Sequence, residues 1–273
     1  MLISFLKNIG RFRPILITLV SLLIAPVLAG VSSAADNPFK IVYASAWPPY
    51  SEGEGPNVRG ILPALMKELL EQKMGVSVEH VGVPWARAQQ MVKKGVADAF
   101  VTAPTAERLT FARSSTEFVY SVEFSPAVIK GSKIQKKISE GAKIPNDISK
   151  FGFCDVLGNN WAKQYYSKHN ITYTIAKDAE ECVKMIHAGR LDIFIHPANV
   201  TGKAIEKFDL ADSFEIFDAV PESPKFTLLL SKKSKFSASL LEPFDQVLSI
   251  AKSNGTYEQI LLKYRKIYQD NKL

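Results

Sequence analysis

The chain has 273 residues, of which 47% are hydrophobic and 22% are charged. This is an ordinary globular composition with room for one or two domains, and it excludes a disordered or fibrous chain. The formal net charge is +7, but the lysines are dispersed and not interleaved with aromatic residues, so we expect no nucleic-acid binding. The histidines and cysteines show no metal-ligand spacing, so we expect no metal and no cofactor.

The first 35 residues differ from the rest. Cations come first, at Lys7, Arg11 and Arg13, and an apolar run from Ile15 to Leu28 follows, with small residues up to Ala35. This pattern predicts a secretory signal peptide cleaved before Asp36. An uncleaved membrane anchor is the alternative, but the run is short for a span and Pro26 interrupts it. Removing the segment lowers the formal charge to +4, because three cations and no anions are lost. We expect a soluble periplasmic protein.

Strands and helices alternate in the first part of the mature chain. The predicted order is strand Phe39–Ala46, helix Ile61–Met74, strand Val76–Val83, a helix from Trp85 to Gly95, and strand Ala97–Ala103. Pro104 breaks the last strand into a turn that carries Thr105, Glu107 and Arg108. Such alternation predicts a mostly parallel sheet flanked by helices.

A second series of the same kind follows Arg108. Its predicted elements are strand Phe151–Cys154, loop Asp155–Asn160, a helix from Trp161, strand Thr172–Ala176, a helix capped by Asp178 and Glu181, strand Leu191–Ile195 and helix Thr201–Phe208. Two β-type runs without a helix before them, Phe118–Lys130 and Phe226–Leu230, are candidate crossings between lobes. Helices Ser237–Lys252 and Thr256–Tyr268 close the chain.

One stretch of sequence occurs twice. Four residue types recur at the same spacing, as Met91, Gly95, Asp98, Phe100 and as Met185, Gly189, Asp192, Phe194. Two βαβ units that arose independently are one explanation, and two similar lobes are the other. With two crossings, we expect residues 36–122 and 225–273 to form lobe one and residues 123–224 to form an inserted lobe two. A two-strand hinge would let the lobes close on a ligand.

The mature chain contains two cysteines, Cys154 and Cys182. Cys182 lies on the apolar face of a predicted helix and Cys154 ends an apolar run. An exported protein meets an oxidising compartment, so a disulfide is one expectation. Two separately buried thiols are the other, and the sequence leaves the choice open.

Ligands of α/β proteins bind outside the carboxyl ends of the strands. Trp47 and Trp85 each follow a predicted strand and are expected to hold a flat or cationic group, although packing is the alternative for each. Arg108 has the fork that clamps a carboxylate, and the alternative is a salt bridge to Glu107 or to another loop. Arg87 is a weaker candidate. The remaining predicted binding residues of this half are Tyr50, Thr102 and Thr105.

The second half offers candidates at two places. Asn159 and Asn160 precede Trp161 at a predicted helix start, where free backbone N–H groups favour anions. His196 and Asn199 lie in the loop that repeats the one after Pro104. For each of these residues, a structural role in the loop is the alternative.

Several motifs occur in one order along residues 36–268. They are Trp47-Pro48-Pro49-Tyr50, Gly60-Ile61, Thr105-Ala106-Glu107-Arg108, Gly189-Arg190-Leu191-Asp192 and Gly255-Thr256-Tyr257 with Lys263-Tyr264. In these motifs the chain resembles the bacterial periplasmic solute-binding proteins of family 3, amino-acid-binding relatives with the type II periplasmic-binding fold. The resemblance implies two lobes, each a mostly parallel sheet flanked by helices, joined by a two-strand hinge. It also implies that Trp47 and Trp85 sandwich the ligand and that Arg108 binds its carboxylate.

The sequence departs from that family at the ligand. Where family members commonly carry an Asp for the α-ammonium group, the chain reads His196-Pro197-Ala198. Where they often carry basic and hydroxyl groups, it reads Cys154-Asp155-Val156-Leu157. We therefore expect a ligand with an anionic group and a flat or apolar body, for which a free amino group is not essential.

The resemblance implies a monomeric receptor that delivers a small polar ligand, an amino acid or related carboxylate-bearing solute, to an inner-membrane ABC permease. A sensory subunit that presents its ligand to a membrane sensor is the alternative. An enzyme resembling periplasmic dehydratases is less expected. Its acid or base would have to come from Glu52, Glu54, Asp155 or His196, none of which is paired at a recognisable spacing.

Overall fold

A computed structural model describes residues 37–270, with side chains described up to residue 267. The predicted signal peptide, residues 1–35, lies outside the described residues. Within residues 37–270, no helix is both long and apolar enough to cross a membrane.

The described chain alternates strands and helices. The strands are β1 (Phe39–Ala44), β2 (Ala46–Trp47), β3 (Ser51–Glu52), β4 (Val78–Val83), β5 (Ala99–Thr102), β6 (Ala112–Ser114), β7 (Tyr120–Ser121), β8 (Phe124–Ile129), β9 (Phe153–Val156), β10 (Tyr173–Ala176), β11 (Ile193–Pro197), β12 (Phe214–Ile216) and β13 (Lys225–Ser231). The helices are α1 (Ile61–Met66), α2 (Trp85–Lys94), α3 (Ala106–Phe111), α4 (Lys133–Ser139), α5 (Asn160–Lys168), α6 (Ala179–His187), α7 (Ala198–Glu206), α8 (Leu241–Ser253) and α9 (Thr256–Asp270). A π-helical segment, Lys67–Lys73, continues α1, and single 3₁₀ turns occur at Asn146–Ile148 and Ala238–Leu240.

The strands form two larger sheets of the same design. The first has the order β4-β1-β5-β13-β6, with β7 also paired to β13, and the second has the order β10-β9-β11-β8-β12. In the first, β1 is parallel to β4 and β5, while β13 is antiparallel to β5 and β6. In the second, β9 is parallel to β10 and β11, while β8 is antiparallel to β11 and β12. Each sheet is therefore a parallel core with an antiparallel edge.

The repeated sequence has the same structure in both sheets. The carboxylate of Asp98 accepts the backbone N–H of Lys40 at 2.8 Å, and that of Asp192 accepts the backbone N–H of Gly152 at 2.7 Å. Each Asp lies three residues after a glycine with positive φ at or just beyond the end of a helix, 78° at Gly95 and 69° at Gly189. Each Asp also stands just before the central parallel strand of its sheet. The equivalent contacts support two similar units.

The chain passes between the sheets twice, and the two passages bond to each other. The backbone N–H of Val122 donates to the carbonyl of Pro224 at 3.0 Å, and that of Phe124 donates to Ser223 Oγ at 3.0 Å. Afterwards α8 and α9 pack against α1 and its π-helical continuation, on the side of the first sheet. The exact division into residues 36–122 with 225–273 and residues 123–224 stays a prediction.

Apolar side chains cover both faces of each sheet. On one face of the first sheet, Phe39 and Ile41 pack with residues of α1 and α8, and on the other Val42 packs with residues of α2. Each fully buried side chain of this size contributes roughly 1.5–3 kcal/mol. A disulfide with an S–S distance of 2.00 Å joins Cys154 of β9, in the second sheet, to Cys182 of α6, which packs against that sheet. Both sheets are therefore well packed.

Two local predictions were wrong. The segment Thr105–Arg108 is not an open turn but the start of α3, because the Thr105 hydroxyl caps the helix by accepting the Arg108 backbone N–H at 3.4 Å. His196 is not in a loop. It lies on β11, which runs through Pro197 directly into α7 because the φ of Pro197, −54°, suits a helix start.

Candidate functional site

A cavity of about 350 Å³ lies where the carboxyl ends of the parallel strands of both sheets meet. The first sheet contributes residues at the ends of β1, β4 and β5, and the second contributes residues at the ends of β9, β10 and β11. Its lining includes the side chains of Trp47, Trp85, Arg108, Phe124, Trp161, Lys177, Asp178, His196 and Phe226. A cleft of ligand size is therefore present at the expected place.

The structure brings part of the predicted set to this cavity. The predicted residues that line it are Trp47, Trp85, Thr102, Arg108, Asn159 and His196. The others stand outside the lining. Tyr50 is buried behind Trp47, with ring centroids 4.5 Å apart, and its hydroxyl has the Asn199 side chain as a hydrogen-bonding partner. Arg87 is exposed on α2 and Asn160 is the first residue of α5. Thr105 is the cap of α3.

Arg108 is 2% exposed, and all of its N–H groups have acceptors. Nη1 donates to Thr102 Oγ1 at 2.9 Å and to the Ala103 carbonyl at 3.0 Å. Nε and Nη2 donate to Gln89 Oε1 at 3.2 and 3.1 Å, and Nη2 also donates to the Gly158 carbonyl at 3.3 Å. These five bonds use the full donor capacity of a guanidinium.

No acceptor of Arg108 in the described chain is a carboxylate. Glu107, the alternative partner considered from the sequence, instead accepts Lys163 Nζ at 3.2 Å. Burial lowers the pKa of Arg108 to about 9, with Glu107 opposing the shift. The face of Trp85 lies 5.2 Å from the guanidinium carbon and stabilises the charge. A buried cation held only by neutral groups favours a nearby anion, because anionic partners offset desolvation.

Gln89 and Gly158 were not predicted as residues of the site. Gln89 lies one helical turn after Trp85 on α2 and is 8% exposed, and Gly158 follows β9. The Gly158 carbonyl accepts Trp85 Nε1 at 2.9 Å and Gln89 Nε2 at 2.9 Å, in addition to Arg108. A backbone carbonyl has no side-chain signature, and the only sequence signal was a glycine shortly before a helix.

His196 and Trp47 meet across the cavity. Trp47 Nε1 donates to His196 Nε2 at 3.3 Å, which places the ring hydrogen of a neutral His196 on Nδ1. Burial lowers the pKa of His196 to about 3, so the ring is neutral at ordinary pH. Within the described residues, His196 Nδ1 has no hydrogen-bond partner. The free ring atom of His196 is therefore a neutral N–H donor, and an ammonium group, which needs acceptors, gains no bond from it.

Aromatic rings form much of the remaining wall. Trp47 stacks on Phe226 with centroids 5.5 Å apart, and Phe124 meets Trp161 edge-on at 4.4 Å. Trp161 Nε1 donates to the Glu222 carbonyl at 3.0 Å, which fixes its orientation. These surfaces suit a flat or apolar ligand body.

Charged residues of the second sheet lie at the cavity as well. Lys177 and Asp178 follow β10 and are 3.5 Å apart. Asp178 was predicted as the cap of the following helix, and its Oδ1 accepts the Glu181 N–H at 2.9 Å. Its place in the cavity lining was not predicted, because a capping role does not reveal which side of the sheet a residue faces.

Of the groups considered for acid–base chemistry, only His196 lines the cavity. Asp155 is fully buried beside it, where its Oδ1 accepts the Val156 N–H at 2.7 Å and Asn159 Nδ2 at 2.9 Å. Burial raises the pKa of Asp155 to about 7. Glu52 bonds to Arg59 at 3.0 Å, and Glu54 is not in the lining. Asp155 therefore supports the loop that carries Asn159 and does not contact the cavity.

The sequence model for the family "bacterial extracellular solute-binding proteins, family 3" matches residues 39–267 of this chain. The chain belongs to this family. Its members are solute-binding proteins. A comparison with curated protein sequences found no significant match.

Solved structures share the fold. An ancestral arginine-binding protein bound to glutamine is 18% identical, with a TM-score of 0.64 over 83% of this chain and 97% of that one. The GluR0 ligand-binding core from Nostoc punctiforme, in complex with L-glutamate, is 18% identical, with a TM-score of 0.64 over 83% and 99%. A histidine kinase sensor domain with similarity to periplasmic binding proteins is 16% identical, with a TM-score of 0.66 over 84% and 96%. At these identities the likeness shows the two-lobed fold.

Proposed function

We propose that this family 3 protein captures a small carboxylate-bearing solute between its two lobes and delivers it to an inner-membrane ABC importer. The observation that carries the proposal is Arg108, a buried cation at the cavity whose acceptors are all neutral. A ligand carboxylate would supply the missing charge. The bond it would replace most easily is the one from Nη2 to the Gly158 carbonyl, which at 3.3 Å is the longest of the five.

The volume and the lining residues of the cavity indicate the size and shape of the ligand. The cavity of about 350 Å³ lies at the small end of the range for ligand sites, which limits the solute to a compact molecule. Stacked aromatic rings favour a flat or apolar body. Asp178 is already paired with Lys177 at 3.5 Å and caps α6, and His196 is neutral, which together argue that a free amino group is not essential for binding.

The proposal also covers where the protein acts and how its lobes move. The amino-terminal segment has the pattern of a secretory signal peptide, which would place the mature monomer in the periplasm. The bonded passages at Val122–Phe124 and Ser223–Pro224 would act as the hinge, with residues 123–224 as the moving lobe.

A sensory role is the second candidate, because one structural neighbour is a histidine kinase sensor domain. In that case the closed, liganded protein would bind a membrane sensor instead of a permease. Cross-linking in whole cells, followed by identification of the cross-linked membrane protein, distinguishes the two.

A thermal-shift screen tests the ligand class. The mature protein is heated with amino acids, aromatic and aliphatic carboxylates, the matching carboxamides, polyamines and sugars. Carboxylates are expected to raise the melting temperature, because a ligand at 100 times its Kd stabilises the fold by about 2.7 kcal/mol. The shift should be reduced in Arg108→Lys, which keeps the charge but loses the fork, and kept in Arg113→Ala, an exposed arginine of β6 outside the cavity. Stabilisation by polyamines or sugars alone would contradict the proposal.

A further inference from the structure

Three donors from the side of the first sheet converge on one carbonyl of the second. Trp85 Nε1 and Gln89 Nε2 each lie 2.9 Å from the Gly158 oxygen, and Arg108 Nη2 lies 3.3 Å from it. The donors sit on α2 and α3, and the acceptor sits between β9 and α5. The sheets are therefore joined through a protein atom at the place where a ligand oxygen would be expected.

Gln89 is the centre of this arrangement. Its Oε1 accepts two N–H groups of Arg108, in the manner of a carboxylate, while its Nε2 donates to Gly158. The hydrogen-bond network fixes the orientation of the amide, because the reverse orientation would set its NH₂ group against the guanidinium. Gln89 thus holds Arg108 in place and also bonds to the loop that follows β9 of the second sheet.

Two further contacts join the same halves of the molecule. Trp47 Nε1 donates to His196 Nε2 at 3.3 Å, and Lys163 Nζ donates to Glu107 at 3.2 Å. The second pair is exposed and contributes little. Opening the cavity would leave the buried donors around Gly158 without their acceptor until water replaced it, which is costly for each group.

We propose that the Gly158 carbonyl is a latch that closes the two lobes without any ligand, and that Gln89 is the positioning residue that couples the latch to Arg108. On the proposed function, a ligand carboxylate that binds Arg108 displaces this carbonyl, so the apparent affinity of the ligand is reduced by the fraction of molecules that are latched. The proposal concerns the ligand-free protein and does not depend on the identity of the ligand.

A side chain at position 158 would push the Gln89 amide away from the latch. Gly158 has φ +83°, and a Cβ built there would lie 2.5 Å from Gln89 Nε2 and 3.3 Å from Trp85 Cδ1. We therefore expect Gly158→Ala to displace the Gln89 amide and to crowd the Trp85 ring, which weakens the bonds to the carbonyl. Gly141 has φ +91° with nothing within 4 Å of a built Cβ. Gly141→Ala adds the same backbone strain without a contact and is the matched control.

The three tryptophans report on the latch directly. In ¹⁵N-labelled mature protein, refolded under non-reducing conditions to remove small molecules, each indole N–H gives its own NMR signal and exchange rate. We expect all three to be protected in the wild type and in Gly141→Ala. In Gly158→Ala, the signals of Trp85 and Trp47 should shift and exchange at least tenfold faster, because both bonds span the lobes. Trp161 should be unchanged, because its acceptor is Glu222.

A second variant covers the case in which Gly158→Ala does not fold and loses all three signals. Gln89→Glu has the same shape and still accepts from Arg108, but it presents an oxygen to the Gly158 carbonyl. It should expose Trp85 and Trp47 and leave Trp161 protected. The proposal is overturned by a ligand-free wild type in which Trp85 and Trp47 exchange as fast as exposed indoles. It is equally overturned if the folded variants keep both signals unchanged.

Discussion

At the scale of single residues, burial acts on three ionisable groups around the cavity with different consequences. It lowers the pKa of Arg108 to about 9 and that of His196 to about 3, and it raises the pKa of Asp155 to about 7. Arg108 stays charged, because its pKa is still above ordinary pH and neutral acceptors surround it. His196 is uncharged. Between pH 5 and 8, Asp155 is therefore the group of these three whose charge changes.

The Asp155 carboxylate leads to a prediction about stability. Its folded pKa of about 7 lies above its usual value of 3.8, so the folded state holds the proton more tightly than the unfolded state. This contribution is complete below about pH 4 and is lost as pH rises through about 7. Asp155→Asn does not titrate and should gain stability relative to the wild type as pH rises from 5 to 8, by on the order of a few kcal/mol.

Denaturant unfolding of both proteins at pH 5 and pH 8 measures this difference. The exposed Asp218→Asn is the control and should follow the wild type at both pH values. A constant difference between Asp155→Asn and the wild type across this range would show that Asp155 is ionised throughout.

The sequence revealed Arg108 and both cavity tryptophans because charged and aromatic residues after predicted strands are visible as such. Gln89 and Gly158 were not visible. Gln89 is one of two glutamines in a row on α2, and only the helical phase decides which one is buried. The role of Gly158 belongs to its carbonyl, which every residue possesses. A site built from backbone atoms and neutral amides needs a structure to be recognised.

At the scale of elements, the repeated stretch was the most useful feature of the sequence. The strands around it were predicted to within a few residues, because buried parallel strands are apolar runs with glycine and proline at their ends. The antiparallel return strand β12 and the short helices α3 and α4 were missed. They are short, and their side-chain pattern is set by contacts with distant parts of the chain.

The two repeats differ in one contact, which gives a matched comparison. Asp98 accepts the Lys40 N–H and also the Ser234 hydroxyl at 2.6 Å, whereas Asp192 has the Gly152 N–H and is more exposed. Asp98→Ala should cost about 2–3 kcal/mol of unfolding free energy and Asp192→Ala about 1–2 kcal/mol, because hydrogen bonds to charged groups contribute roughly this much. Chemical denaturation measures both. A larger loss for Asp192→Ala would mean that the Asp98 contacts are not maintained in solution.

At the scale of the whole molecule, two similar sheets face each other through the carboxyl ends of their parallel strands. The fold and the family were predictable from the sequence, because motif order and strand alternation extend over the whole mature chain. The nature of the ligand was harder to predict from the sequence. The sequence showed that the family's Asp is replaced at His196, but the neutral surroundings of Arg108 and the position of Asp178 at the cavity appeared only in three dimensions.

The central claim is that Arg108 binds a ligand carboxylate between the lobes. Calorimetric titration of the best carboxylate from the screen and of its carboxamide, which has almost the same shape, tests this most directly. We expect the acid to bind about one to two powers of ten more tightly than the amide, since a charge-assisted pair contributes roughly 1.5–3 kcal/mol. Equal affinity for the acid and the amide would contradict the account, as would tight binding of a cation without a carboxylate.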